Sequence, residues 1–585
     1  MIENTNVVLL PLVVILPMAA GVLGYLIRRL RTELDFLGFF LTLYFSIRIF
    51  HNSRAQVLSY SLGHIANFSW RFYLDGFAGL LLLFNAIFTF LVWFYSLRAL
   101  SKTPKENLYY LYLGLTLGVA NGVLLSGNLL LLMILLLIIL LAQYGFFRIV
   151  KNPGYRPDRR ILVVVGAADI LMTLGMVILL FKTGGRWNIP FEPPFVLNGF
   201  WIVLAFLLIM IGVVAQMGAL PFHSWIPEAA AGVPASTMAY LPATLSKLLG
   251  VYLLFRFTYY VFDLSTSLPL RLVLMAIGAL TVVGGVLAEM RQKEAMRLIA
   301  YSGICQTGYV IVGIGTGLPI GIAGALFHTL NNVIGLSALF LAVGSVEFRT
   351  KTTQLDRLGG LAKKMPVTAF SLIVAGLAVS GIPPLSGFFS KWLLYQGALG
   401  MSAETAVWPL FLVILMFGSV LTFASYLKLI HSVFLGDRPP DLDKVHETRF
   451  EMATSTFVLA LTGIAFGVFA YSIPMGGLLA QSLPFTSGQS GYWSPVLATV
   501  LILIAAVLGF ILYAVGNVFR PRTVPTFTGG EKAGDEAQRF TGPDFYSDLH
   551  RFGLLERIGR ALEGGVFDAY FFLQKLTGPG RRTDA

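Results

Sequence analysis

Apolar stretches of about 20 residues recur from one end of this chain to the other, each long enough to cross a hydrocarbon core of about 30 Å. No other feature limits the fold as strongly. A segment in lipid must satisfy its own backbone, and a helix does so within one stretch. The expected spans are roughly 7–27, 34–50, 75–97, 107–125, 127–147, 161–181, 198–219, 235–262, 268–288, 298–315, 319–346, 366–397, 405–433, 452–473 and 495–515. The chain therefore reads as an all-α polytopic membrane protein with about 15 transmembrane helices. Composition agrees: only 12% of the 585 residues are charged, about half the usual share for a soluble domain of ~25%. That leaves no room for a large soluble domain.

The loops alternate in charge. RRLR (28–31), RALSKTPK (98–105), RIVKNPGYRPDRR (148–160), RQKEAMR (291–297) and RTKTTQLDRLGGLAKK (349–364) are basic, whereas 126–128, 316–318 and 474–494 hold almost no Lys or Arg. The positive-inside rule makes the basic loops cytoplasmic, with the N-terminus outside and the C-terminus inside. The expected setting is a prokaryotic cytoplasmic membrane. The first stretch is too long for a signal-peptide core and lacks a basic run before it, so it reads as a retained span. A single cysteine, Cys305, excludes an internal disulfide and a Cys-ligated iron–sulfur or zinc site. The seven histidines include no i,i+4 pair suited to haem or metal ligation. The net charge of +13 lies in loops rather than in a basic domain, which speaks against nucleic-acid binding. No cofactor ligands are expected in this chain.

Ionisable residues inside the hydrocarbon are costly, and each is a functional candidate. Lys247, in PATLSKLLGVYLLFR, falls near mid-span, where its side chain has no route to water. Lys391, in SGIPPLSGFFSKW, follows a helix break at Pro383-Pro384, where freed carbonyls could hold an ammonium. His328 and Asp169 lie within spans, and Asp75 and Glu289 near span ends, where they read as interfacial. The bland alternatives are a structural lysine bonded to broken-helix carbonyls at 247, an interfacial lysine at 391, a satisfied core histidine at 328, and an aspartate paired with a basic loop at 169. A second break is expected in AQMGALPFHSWIPE (215–228), where Pro221 follows the uncharged Gln216 by five residues. Two polar, proline-interrupted segments about 165 residues apart point to duplicated halves and an ion pathway between them.

The motifs MGALPFHSWIPEAAAGVPASTMAYLPATLSKLLGVYLLFR (217–256), RLIAYSGICQTGYV (297–310), FHTLNNVIGLSALFLAVGSV (327–346) and GLAVSGIPPLSGFFSKW (376–392) carry a resemblance. In order, over roughly residues 70–435, the chain resembles the proton-pumping membrane subunits of respiratory complex I and the large subunits of Mrp-type sodium/proton antiporters. The tail TFTGGEK…RFTGPDFYSDL (526–549) is similar to the ends of such subunits in membrane-bound nickel–iron hydrogenases and related ferredoxin-linked complexes.

The resemblance implies two inverted five-helix repeats with discontinuous helices around Pro221 and Pro383/Pro384. The expected division is N-terminal helices (1–106), a first repeat (107–262), a second repeat (263–435), C-terminal helices (436–519), and a cytoplasmic tail (520–585) with an amphipathic helix over 545–576 kinked at the glycines 564–565. It also implies an ion pathway through Lys247, Lys391 and His328, with Asp169 a further candidate from its place in a span. Four family positions carry neutral residues instead: Leu137, counted nine from Asn128, for a glutamate; Gln216 for a lysine; and Asn332 and Leu336 for a histidine and a lysine. Loss of both members of a buried ion pair avoids a stranded charge. The expectation is an altered or closed N-terminal half-channel, with waters bridging the relay that Leu336 removes.

The leading function is an antiporter-like, proton- or sodium-translocating subunit of a multisubunit redox complex. It would itself be non-catalytic, within an oxidoreductase of NADH/ferredoxin:quinone or hydrogenase type. Implied partners are other membrane subunits, a peripheral module carrying iron–sulfur clusters, and the lipid bilayer, but no nucleic acid. The alternatives are a non-pumping membrane scaffold, an Mrp-type antiporter subunit, and a subunit for bicarbonate or carbon dioxide uptake.

Overall fold

The computed structural model describes residues 2–54, 56–65, 68–152, 154–182, 184, 187–483, 494–515, 545–546, 553, 557 and 568–576. Most of the predicted tail, including the glycines 564–565, lies outside the described residues. Before the first repeat come α1 (Ile2–Leu26), α2 (Arg31–Ser53) and α3 (Gly76–Ala99). They are followed by α4 (Glu106–Leu124), α5 (Leu129–Phe147), α6 (Pro157–Lys182), α7 (Phe200–Met217), α8 (Trp225–Gly232), α9 (Ala235–Tyr240) and α10 (Ser246–Phe255). The second half holds α11 (Leu268–Arg291), α12 (Ala295–Gly315), α13 (Pro319–Thr350), α14 (Pro366–Ser380), α15 (Ser386–Gly400) and α16 (Trp408–Ile430). Last come α17 (Phe450–Val468), α18 (Pro495–Val515) and the short α19 (Ala569–Leu576). Among the described residues, 13 helices are long and apolar enough to cross a membrane, so the chain is a multi-pass membrane protein.

A two-stranded antiparallel hairpin, β1 (Leu58–Ile65) and β2 (Phe68–Leu74), was not expected from the sequence. Its alternation of polar and aromatic residues is too short to stand out between two long apolar runs. Backbone bonds from Tyr73 to Leu125 and from Gly127 to Arg71 tie it to the α4–α5 turn.

The basic loops gather on one face. Lys105 donates to the Arg148 carbonyl, Lys151 pairs with Glu347 at 2.5 Å, Arg297 stacks on Tyr155, and Leu355 N–H donates to Lys293 O. On the opposite face Arg271 reaches Glu404 and the Thr316 carbonyl. The centre of the bundle is fully enclosed: the most apolar windows of Ala235–Val261 and Pro319–Thr350 are 100% buried, and that of Ala295–Gly315 is 94% buried. Polar side chains on these helices must therefore find partners inside the protein. By contrast α18 is almost entirely exposed.

Two helices are broken, and they run in opposite directions. The segment α7–α8 ends at the basic face, where Gly232 O accepts from Lys151 N–H. The segment α14–α15 begins at that face, where Glu447 caps Val367 and Thr368. Both breaks use the same turn. Gly218 (φ +69°) and Gly381 (φ +88°) adopt the left-handed conformation that glycine takes without steric cost. Ala219 N–H bonds back to Val214 O and Ile382 N–H to Leu377 O, each closing a Schellman motif. The Leu220–Pro221 and Pro383–Pro384 peptides that follow are cis.

Helix α3 is anchored at its start. Asp75 caps Ala78 N–H at 2.9 Å and grips the buried Arg256 guanidinium through two bonds of 2.6 and 2.8 Å. Removing one member of a buried pair strands the other and costs about 3–5 kcal/mol, whereas replacing both is far milder. Asp75→Ala is accordingly expected to lower the thermal unfolding midpoint in detergent sharply, and Asp75→Ala/Arg256→Met to recover most of the loss. Equal losses in the single and double variants would contradict this account.

Candidate functional site: a buried polar chain between the two broken helices

The main-chain carbonyls at the end of a helix have no intrahelical partner and carry partial negative charge. At both breaks these ends point into the bundle, and a lysine meets each. Lys247 Nζ donates to Met217 O at 3.0 Å, and Lys391 Nζ to Ser380 O at 3.1 Å. Met217 and Ser380 are the residues just before the two left-handed glycines. The lysines lie on different elements: Lys247 follows the π-helical turn Leu241–Leu245 at the start of α10, and Lys391 sits on α15. Both are deeply buried, at 5% and 2% exposure. Lys391 also lies 4.9 Å above the Tyr309 ring.

Between them lie two groups of bonded polar side chains, which meet at neighbouring positions of α12. Lys247 donates to Thr307 Oγ1 on α12. The adjacent Gln306 accepts, through Oε1, from His328 Nε2 at 3.1 Å. His328 Nδ1 lies 3.0 Å from Ser390 Oγ, and Ser390 immediately precedes Lys391. The Ser390 hydroxyl also donates to Gly387 O at 3.0 Å, and which His328 nitrogen carries the proton depends on the tautomer. Gln306, Thr307 and Ser390 were not singled out in the sequence. The polar run CQT inside the apolar span of RLIAYSGICQTGYV (297–310) was the available signal.

The chain extends into the first repeat. Gln216, the residue before Met217, donates from Nε2 to both Asp169 carboxylate oxygens, at 3.0 and 3.2 Å. Asp169 pairs with Gln216 rather than with a basic loop. A carboxyl group thus stands beside the end of α7, supplied by α6. Such a pairing joins residues 47 positions apart, and neither helix alone reveals it.

The other neutral positions divide. Leu137 is 58% exposed and faces out of this chain, while the inward side of α5 presents Leu136, Leu140 and Gln143. The position nine residues after Asn128 therefore lies on the outward face of α5. Asn128 itself caps α5 by accepting from Leu131 N–H. Asn332 and Leu336 are buried in α13, and Leu336 packs toward Gly303 on α12. The polar groups nearest the two lysines are carried by α12 and α15 rather than by the Leu336 position of α13. Glu289, near the end of α11, is fully buried within the protein. Among the described residues there is no cluster of three or more His, Cys, Asp or Glu suited to a metal ion.

A helical membrane bundle with two oppositely directed broken helices, each ending against a buried lysine, is an antiporter-like membrane subunit. More specifically, the chain belongs to the NADH:quinone oxidoreductase/Mrp antiporter transmembrane family, whose signature matches residues 126–422. It is 29% identical to NADH-quinone oxidoreductase subunit N of Desulforudis audaxviator (strain MP104C) over 389 residues, covering 63% of this chain and 76% of that one. It is 28% identical to Na(+)/H(+) antiporter subunit A1 of Staphylococcus haemolyticus (strain JCSC1435), covering 72% of this chain but spanning only 54% of that protein's length. Among solved structures it superposes on a chain of an archaeal membrane-bound sulfane sulfur reductase with a TM-score of 0.83, 24% identity and coverage of 98% and 97%. For a chain of the Mrp complex from Dietzia sp. DQ12-45-1b the TM-score is 0.72, at 21% identity with 81% and 96% covered. For a chain of respiratory complex I from Thermus thermophilus it is 0.70, at 22% identity with 81% and 99% covered. These structural likenesses concern the fold, and all three are chains of multisubunit membrane complexes.

Gln216 holds Asp169 in place of water. Gln216→Leu leaves the carboxyl unsatisfied, at a cost of about 1–3 kcal/mol, whereas Gln216→Lys replaces the amide with an ionic partner. Thermal unfolding in detergent is expected to show loss for the leucine variant and near wild-type stability for the lysine variant. Equal stability of Gln216→Leu and wild type would mean that Asp169 does not depend on Gln216.

Proposed function

We propose that the chain translocates protons as an antiporter-like subunit of a multisubunit redox complex, with the electron transfer carried out by partner subunits. The observation that carries this reading is the line of buried polar groups formed by Asp169 with Gln216, Lys247 with Thr307, Gln306 with His328 and Ser390, and Lys391 on the Ser380 carbonyl, with neighbouring positions on α7, α12 and α15 carrying it from one group to the next. It crosses between the repeats at the level of both helix breaks. Buried ammonium groups with neutral hydrogen-bond partners exchange protons more readily than ammonium groups locked in ion pairs, because desolvation disfavours their charged form. The hydroxyl, amide and imidazole groups between them can reorient as a proton passes.

The first half-channel is read as altered: an aspartate–glutamine pair replaces the ion pair that the family resemblance implies. The basic face is assigned to the cytoplasmic side of a prokaryotic inner membrane, with the N-terminus outside and the C-terminus inside. The names of relatives support a redox setting, one being a subunit of an NADH-quinone oxidoreductase and another a chain of a sulfane sulfur reductase. On this reading a peripheral iron–sulfur module is a partner, along with small membrane subunits that cover α18.

Lys247→Ala and Lys391→Ala are each expected to slow proton uptake by reconstituted complex by about 100-fold, the scale of a lost acid–base group. The purified native complex is expected to contain iron and acid-labile sulfide. Wild-type pumping by both variants would refute the pathway, and a complex devoid of iron would refute the redox assignment.

A further inference from the structure

Glu289 has no place in the chain of groups described above. It is 0% exposed, on the last turn of α11. Its oxygens face the Ser302 and Ser425 hydroxyls and lie within electrostatic reach of Lys391 and Lys428, but they make no ion pair and no hydrogen bond of good geometry among the described residues. A carboxyl group left so is expensive in a membrane interior, and a purely structural acid would be expected to hold a fixed partner. Lys428, the nearest cation toward the basic face, is already occupied: its Nζ donates to Met290 O at 3.0 Å and to Gln292 O at 2.8 Å. It caps the end of α11, where the helix dipole favours a cation.

Around Glu289 the side chains of α12 and α16 form a polar seam. Ser302, Cys305 and Tyr309 follow one another along one side of α12, at helical spacing. Tyr426 donates to Ser302 Oγ at 2.9 Å, and Cys305 lies 3.9 Å from Thr422 Oγ1. Tyr309 donates to Leu415 O at 2.6 Å and lies 2.9 Å from Ser419 Oγ. The seam begins under the basic loop 291–297 and ends where Lys391 lies over the Tyr309 ring.

We propose that Glu289 is a relay carboxyl that carries protons between the basic face and Lys391, giving the second repeat its own access from that face. In the transfer step the Glu289 carboxyl O–H breaks and an N–H forms on the neutral Lys391 amine, by way of the Ser302 and Cys305 side chains. The products are a carboxylate and an ammonium. Water at the basic face returns a proton to the carboxylate, and the ammonium passes its proton to the Ser390–His328 pair. The carboxylate formed in the step lies between two lysines, which stabilise its charge.

This inference rests on the proposed proton translocation, and the test separates the two. Intact complex is reconstituted into vesicles that contain a pH-sensitive dye, and a potassium diffusion potential drives proton flux. Glu289→Gln keeps the size and neutral polarity of the protonated acid but cannot give up the proton. It is expected to lose flux as fully as Lys391→Ala, and Glu289→Asp to retain part of it. Wild-type flux in Glu289→Gln together with lost flux in Lys391→Ala overturns the relay and leaves the translocation reading intact. Wild-type flux in Lys391→Ala overturns both. If Glu289→Gln does not assemble, infrared difference spectra of wild type and Glu289→Asp decide: the proposal requires a protonated-carboxyl band that responds to the potential and shifts in Glu289→Asp. A band that stays unchanged overturns it.

Discussion

The contact between a buried ammonium and the open end of a broken helix underlies everything else in this protein. A helix that stops inside a membrane leaves carbonyl oxygens without donors, in a medium that supplies none. A lysine in the same medium has a charge without a counterion. Each problem offsets the other at Met217 O with Lys247 and at Ser380 O with Lys391. The Schellman turns at Gly218 and Gly381 fix where the free carbonyls point. The positions of the lysines follow from those turns, and the hydroxyl, amide and imidazole groups between them follow from the positions of the lysines.

The surrounding scaffold keeps these ends dry and aligned. The helices that hold Lys247, Thr307 and His328 are enclosed by the rest of the bundle. The Arg256–Asp75 pair locks the far end of the Lys247 segment to the start of α3. At the basic face, Lys151–Glu347 and Arg160–Glu228 fasten the first repeat to α13 and hold α8 to α6. The described part of the tail also reaches the first break: Ala569 N–H donates to Pro221 O at 3.0 Å, and Arg160 stacks on Tyr570. The C-terminal segment is thus joined to the same turn that ends α7.

Much of the architecture is legible in the order of residues because the bilayer imposes simple rules. Long apolar runs, basic loops and proline interruptions each have a single dominant physical reading. Most expected spans coincide with helices within a few residues, the stretch 366–397 is divided into α14 and α15, and both breaks fall where Pro221 and Pro383-Pro384 stand. The hairpin β1–β2 was missed because short strands have no comparable signature. A count of nine residues is half a turn from a whole number of helical turns, so a register taken from Asn128 put Leu137 on the outside.

The sequence by itself determined a helical membrane protein, its family, the basic loops, two broken helices and the two lysines beside them. These follow from local composition and from motifs confined to single segments. Only the tertiary structure decided which polar groups meet. It gave Asp169 to Gln216, set Thr307 against Lys247 and Gln306 and Ser390 against His328, and enclosed Glu289 within the bundle. The reason is physical: a buried polar side chain is defined by its partner, and in a bundle the partner comes from another helix, at a sequence distance that no local pattern records.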